Sequence, residues 1–250
     1  MENFKLISNK IGTLKEIFTN LNNTFDIITL NLNKNCIKII EKKQDFYIHL
    51  TIQDDLFFYY NCPEEFKINL ECNQLYLIFK EIKNGNNYIK FIINGNRLLI
   101  KNYIFERGIV KINNYFVNLI DNVEKNLEIL NPFSFKSSIN INTNTILTSL
   151  KQLKQEKKYY ISKIEYLNIS LVDNILKLST DYNSITLIDE YFNNINNSEK
   201  INIYLNFKIF NDIIKYYKLV NYIKLYISNE NIILESSETI KIKTLIYLNN

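Results

Sequence analysis

Lys151, Lys154 and Lys158 recur three and four residues apart in the stretch TSLKQLKQEKK, residues 148–158, with Lys157 beside them. A helix drawn through this stretch sets them on one side and Ile146, Leu147, Leu150 and Leu153 on the other. A row of ammonium groups breaks no bonds by itself. It attracts phosphate or carboxylate through a compact, mobile charge. The residue types that break bonds are thinly supplied elsewhere. The single histidine, His49, lies in an alternating strand-like run, where a structural role is the commoner one. Cys36, Cys62 and Cys72 show no CxxC spacing, which predicts buried free thiols in a reducing compartment and neither a disulfide framework nor a zinc site. Asp54 and Asp55 are adjacent in a predicted turn, where solvated carboxylates are the ordinary reading. The four glycines form no GxGxxG loop and no Walker-type loop, and there is no GxSxG elbow. The sequence therefore predicts no catalytic constellation, no metal site and no cofactor.

Composition bounds the rest. The chain has 250 residues, 46% of them hydrophobic, enough for one sizeable core or two smaller ones. Its formal net charge is +4, so a nucleic-acid surface would require the positive charge to be gathered on one face. The start, MENFKLISNKIGTL, has no long apolar run after a basic segment, and no stretch reaches the roughly 18 apolar residues of a membrane helix. A soluble, intracellular protein without a membrane partner is expected. Abundant Asn, Ile, Lys and Tyr beside scarce Gly and Pro read as the codon preference of an AT-rich genome. That preference lowers the weight of any single lysine.

Two pairs of segments repeat. NLECNQLYLIFKEIKNGNNYIKFIINGNRLLI (69–100) parallels YLNFKIFNDIIKYYKLVNYIKLYISNENIILE (204–235), and FKLISNKIGTLKEIFTNL (4–21) parallels FKSSININTNTILTSLKQL (135–153). The offset of roughly 130 residues suits a duplicated domain and not a solenoid. Each half reads strand, helix, several strands, helix, several strands. The helices show as apolar residues at 3.6-residue spacing: Ile11, Leu14, Ile17, Phe18 and Leu21, then Leu75, Ile78, Phe79 and Ile82, then the stripe around Leu150, then Ile209, Phe210, Ile213 and Tyr217. The strands, such as FYIHLTI and TIKIKTLIYL, alternate and are rich in β-branched and aromatic residues. Between the halves, DNVEKNLEILNPFSF (121–135) reads as a connector.

The side opposite each apolar stripe carries lysine: Lys10 and Lys15 on the first helix, Lys80 and Lys83 on the second, Lys151, Lys154, Lys157 and Lys158 on the third, and Lys208, Lys215 and Lys218 on the fourth. Most charge runs are simply solvated faces. Such faces usually mix both signs, however, and here the acids are fewer and cluster in loops and strand ends.

With this pattern the sequence resembles the sliding clamps of the proliferating-cell nuclear antigen family. The residues that carry the resemblance are FKLISNKIGTLKEIFTNL, then HLTIQDDLFFYYNC (49–62) with Leu50, Thr51, Phe57, Tyr60 and Cys62, then YFVNLIDNVEKNLEILNPFSFKSSI (115–139) with Tyr115, Leu119 and Asp121. The resemblance implies an α+β DNA-clamp fold: two similar domains, residues 1–118 and 135–250, joined by a connector at 119–134. Each domain would pack two amphipathic helices on antiparallel sheet. Three chains would form a ring of six-fold pseudosymmetry around duplex DNA, with these helix lysines facing phosphates. The function implied is non-enzymatic: a processivity factor that binds double-stranded DNA without sequence preference, is placed by a clamp loader, and tethers DNA polymerase and other replication or repair proteins through short peptide motifs. It would act at sites of replication, in a nucleus or a viral factory.

By the same resemblance, the peptide groove is expected at Ile39, Ile40, Leu127, Ile129, Leu130, Pro132, Leu234, Tyr247 and Leu248. The subunit interface is expected at Ile109, Lys111, Ile112 and Tyr115 on one strand and Ile175, Leu176, Leu178 and Thr180 on another. One departure stands out. Family members end in Tyr-Leu-Ala-Pro, whereas this chain ends LIYLNN. A clamp-like factor acting as a monomer or dimer is the alternative, and an unrelated enzyme with a duplicated α+β fold is a third.

Overall fold

The computed structural model describes residues 4–43, 46–83, 85, 87–121, 137–155, 165–172, 175–181, 183–187, 201–228, 231–236 and 238–248. The chain divides into two compact units. One comprises Met1–Glu41, His49–Glu128 and Thr239–Lys241, and the other Lys42–Ile48, Ile129–Glu238 and Ile242–Asn250.

The first half opens with β1 (Lys5–Ser8) and α1 (Ile11–Thr24), then β2 (Ile27–Leu32), β3 (Cys36–Lys43) and β4 (Phe46–Gln53). A 3-10 turn at Asp54–Leu56 holds the adjacent aspartates in exposed positions. Then come β5 (Tyr59–Asn61), β6 (Phe66–Glu71), α2 (Cys72–Glu81), β7 (Asn87–Asn94), β8 (Arg97–Glu106) and β9 (Ile109–Asn118). One antiparallel sheet is ordered β5-β1-β7-β8-β9, and a second run of strands is ordered β6-β2-β3-β4. The helix stripes read from the sequence are buried: Ile11, Leu14, Ile17, Phe18 and Leu21 on α1, and Leu75, Ile78 and Phe79 on α2, with Ile82 buried just past its end and Cys72 added at its start. Phe79 joins the layers, because its ring centroid lies 4.9 Å from that of Phe18 and 6.2 Å from that of Phe91 on β7.

The hairpins of the five-stranded sheet show how local sequence sets register. Gly95 takes φ +59° as the first central residue of a two-residue turn between β7 and β8. Arg107 and Gly108 both take positive φ between β8 and β9. Such turns match the right-handed twist of the strands they join. The second turn pairs β8 with β9 along all ten residues of each.

The second half repeats the order. β10 (Ser137–Asn142) leads into α3 (Thr143–Gln155), followed by β11 (Tyr166–Val172), β12 (Ile175–Ser179), β13 (Ser184–Leu187), β14 (Ile201–Asn206), α4 (Phe207–Tyr216), β15 (Tyr222–Ile227), β16 (Asn231–Glu235) and β17 (Ile240–Tyr247). Its strands are ordered β13-β12-β11-β14 and β10-β15-β16-β17. Asparagine opens both helices. The Asn142 carboxamide oxygen accepts from the backbone N–H groups of Asn144 and Thr145, and that of Asn206 accepts from Ile209 at 3.1 Å. These contacts satisfy donors that a helix N-terminus otherwise leaves open.

Tyr217, in a 3-10 turn just after α4, is fully buried. Its hydroxyl donates to the Leu234 carbonyl at 2.7 Å and sits 3.1 Å from the Thr244 hydroxyl. Leu234 and Thr244 face each other across β16 and β17, so one phenol ties the helix end to both strands. Burial holds that phenol far above its ordinary pKa. Tyr217→Phe should preserve the fold and lower unfolding free energy by about 1–2 kcal/mol, because the acceptors stay buried and lose their partner. The urea midpoint measured by circular dichroism checks this.

Candidate nucleic-acid interface

In each unit the two helices pack on one another and on sheet, so their apolar stripes are consumed and their polar sides face solvent. On α1, Lys15 is half-buried and Lys10 is exposed immediately before the helix. Lys80 is exposed in the last turn of α2, with its ammonium 5.8 Å from the centre of the Tyr76 ring. Lys83 is exposed just beyond the helix, which ends because Ile82 turns to extended geometry. Lys151 and Lys154 are exposed on α3, whose thirteen residues include no acid. Lys208 is exposed in the first turn of α4 and Lys218 in the 3-10 turn after it. Lys215 differs, because its ammonium lies 2.6 Å from the Asp212 carboxylate. Part of its charge is therefore taken up by that carboxylate. Lys157 and Lys158 lie outside the described residues.

The expected partner groove is brought together only in part. Tyr247 and Leu248 line a pocket of about 280 Å³ with Tyr166, Tyr204, Leu205, Asn206, Ile209 and Ile246. The last six are additions to the sequence reading, which had no means of bringing the starts of β11 and α4 to the end of β17. Ile39 and Leu234 require correction. Both are fully buried, Ile39 against an apolar cavity of about 20 Å³ and Leu234 beneath Tyr217, so they hold the core and are not open to a ligand. Ile40 is half-buried on β3. Leu127, Ile129, Leu130 and Pro132 lie outside the described residues.

The expected subunit contact is also redrawn. β9 is an edge strand of its sheet, with Ile109, Lys111 and Ile112 exposed and Tyr115 half-buried. Lys111 pairs with Glu106 at 3.1 Å, and both side chains are solvated. Val110 and Phe116 add exposed apolar area that the sequence reading passed over. The second expected strand, β12, is not an edge. It is flanked by β11 and β13, and Leu176 and Leu178 are fully buried, so Ile175, Leu176, Leu178 and Thr180 have no open ladder to offer. Among the described residues that sheet ends on this side at β13, one strand further along.

The remaining reactive residues are spoken for locally. Cys36, Cys62 and Cys72 are buried free thiols, and burial raises the pKa of Cys62. Tyr60 donates its hydroxyl to the carbonyls of Asn33 and Cys36, and burial holds its pKa far above the usual phenol range. His49 lies 3.3 Å from the Thr51 hydroxyl. Among the described residues no three His, Cys, Asp or Glu side chains are placed to share a metal ion, and no helix is long and apolar enough to cross a membrane.

No protein-family model matches the chain, and no curated protein matches it by sequence. Structure gives a different result. The solved structure of the proliferating cellular nuclear antigen from Entamoeba histolytica aligns over 100% of both chains with a TM-score of 0.82, at 17% sequence identity. This chain therefore has the fold of a proliferating-cell nuclear antigen clamp from end to end, on a sequence that has kept little of the relative's residue identity.

Proposed function

We propose that this protein is a DNA sliding clamp, a ring of three copies that encircles duplex DNA and tethers polymerase and other replication proteins to it. The observation that carries the reading is the outward lysine on all four helices, set on a clamp fold that covers the whole chain. Lysines aimed at phosphates read no base edges, so the protein is held to DNA without being held to a sequence. The role needs no bond-breaking chemistry, and the protein acts as a scaffold where replication takes place, placed there by a loader.

Ring closure is assigned to β9 of one copy against β13 of the next. β9 occupies the last position of its half, as β17 does of the other, and β13 follows α3 as β4 follows α1. A bare edge with exposed Ile109, Val110 and Ile112 calls for a covering strand. Native mass should give three chains per particle at micromolar concentration. Ile112→Pro and Ile185→Pro should each give folded single chains, and full trimer mass in either folded variant would move the contact elsewhere. A particle of one or two chains in the unaltered protein would favour the open-clamp alternative.

The pocket at Tyr247 and Leu248 is the proposed docking point for a short peptide. Its volume is close to the lower end for small-ligand sites, which suits one or two anchor side chains rather than a whole helix. Leu248→Asp should weaken capture of a polymerase-derived peptide by about 1.5–3 kcal/mol, the worth of one buried apolar anchor, and leave particle mass unchanged. Unaltered peptide affinity in a calorimetric titration would exclude this pocket.

The DNA contact is tested by salt and by topology. Affinity for duplex should fall with salt at a log–log slope of about −0.9 per phosphate neutralised. Lys151→Ala with Lys154→Ala should flatten that slope and change unfolding free energy by less than about 0.5 kcal/mol, because both ammonium groups are solvated. Lys215→Ala should matter less, since Asp212 already neutralises it. A ring loaded on circular duplex should remain until the circle is cut. Equal release from circular and linear duplex would end the sliding-clamp reading.

A further inference from the structure

The five-stranded sheet has a second face, and the helices do not cover it. Register and burial separate the two sides. Leu6, Phe91, Ile100 and Tyr115 form one cross-strand row on the helix side. The other side carries two rows of a different kind. In one, Tyr88 on β7 faces Tyr103 on β8, which faces Ile112 on β9. In the next, Tyr59 on β5 faces Ile7 on β1, which faces Lys90 on β7, which faces Lys101 on β8. Lys5, Arg97 and Phe105 share this side by strand alternation. The only carboxylate on these five strands, Glu106, falls on the helix side, and Glu64 and Glu65 lie beyond the end of β5.

Two features of this face call for an explanation. First, four cations, Lys5, Lys90, Arg97 and Lys101, gather on this side of the sheet. Second, large rings are left open beside them. Phe58 is 75% exposed, Phe105 48%, Tyr59 44% and Tyr88 36%. The rings are neighbours: Phe58 to Tyr88 is 6.2 Å between centroids and Tyr88 to Phe105 is 5.8 Å, both edge to face. The Lys5 ammonium lies 5.2 Å from the centre of the Tyr59 ring.

We propose that this face binds single-stranded nucleic acid, with unpaired bases stacked on Tyr88, Phe105 and Phe58 and phosphates drawn to Lys90, Lys101 and Lys5. A polyanion matches the cations gathered on this side. Exposed bases supply the flat partners that the rings lack, and sequence-tolerant stacking beside a cationic track is how single strands are held on open sheets. Duplex DNA offers the phosphates but keeps its bases in its own stack. An acidic polypeptide offers the charge but nothing planar to cover the rings. The face lies within one copy of the chain and opposite the helices of its unit, so it needs no ring.

The test is fluorescence anisotropy with the full-length protein and a labelled oligothymidylate of about 20 nucleotides, beside an abasic strand of the same length and charge. The oligothymidylate should bind about tenfold or more tighter than the abasic strand, tenfold being the worth of about one stacked base. Tyr88→Leu with Phe105→Leu, which keeps apolar area and removes two of the three rings, should reduce that difference severalfold, whereas Tyr88→Phe should retain it. Lys80→Ala with Lys83→Ala, Lys151→Ala and Lys154→Ala should weaken duplex binding and spare the single strand. Equal binding of the abasic strand by the unaltered protein overturns the proposal, and that comparison does not depend on any variant folding. So does displacement by polyglutamate as effective as by oligothymidylate, which would make this an acidic-peptide surface. So does loss of single-strand binding in the helix-lysine variant alone, which would place the strand on the other side.

Discussion

Phe79 sits between Phe18 on the neighbouring helix and Phe91 on the sheet, and that stack determines which way both helices of the first unit turn. An amphipathic helix has one apolar stripe, and once the stripe is sealed its polar side has no choice of direction. The second unit reaches the same result with Phe210, Ile213 and Tyr217, all fully buried. The lysines are presented outward because their opposite faces are fastened, and no contact made by the lysines themselves is needed. Solvated ammonium groups contribute little to folding, so they are free to be spent on a ligand.

The same economy governs the five-stranded sheet. A strand alternates its side chains, so each of β7 and β8 contributes Ile89, Phe91, Leu98 and Ile100 to the core and Tyr88, Lys90, Lys101 and Tyr103 to the opposite side. Core packing constrains the first set, and nothing in the core constrains the second. The character of the second set, cations interleaved with rings and no acid, is therefore informative about what meets it from outside.

The helices and the duplication are legible in the sequence because both rest on periodicity. Ile11, Leu14, Ile17, Phe18 and Leu21 are spaced for one face, and all five are buried. Strand order is less legible. ILKLS and SITL both alternate, and only pairing reveals that the first is flanked on both sides and the second lies at the edge. Ile39 and Leu234 mislead for a related reason. An apolar residue in a strand looks the same whether it walls a groove or fills a core, and here both fill the core. The pocket around Tyr247 draws on residues from 166 to 248, a separation that no local pattern spans. At 17% identity the fold persists because burial pattern and turn geometry can be met by many residues, including the Ile, Asn, Lys and Tyr that dominate this chain.

The open edge of β9 has a consequence for biosynthesis. β9 ends at Asn118, and β13 begins at Ser184. At roughly 5–20 residues per second, the ribosome takes on the order of 3–13 s to cover that interval. During it, Ile109, Val110, Ile112 and Phe116 have been made, and the residues that follow them are still being added. Neighbouring nascent chains on one message carry the same bare strand at the same moment. The residues that temper this are Lys111, which places a charge in the middle of the apolar run, and the tight Arg107–Gly108 turn, which hands β9 to β8 as soon as both are out. The rate of translation across residues 119–184 thus sets how long this apolar strand waits for the rest of its chain, and it leaves the finished structure unchanged.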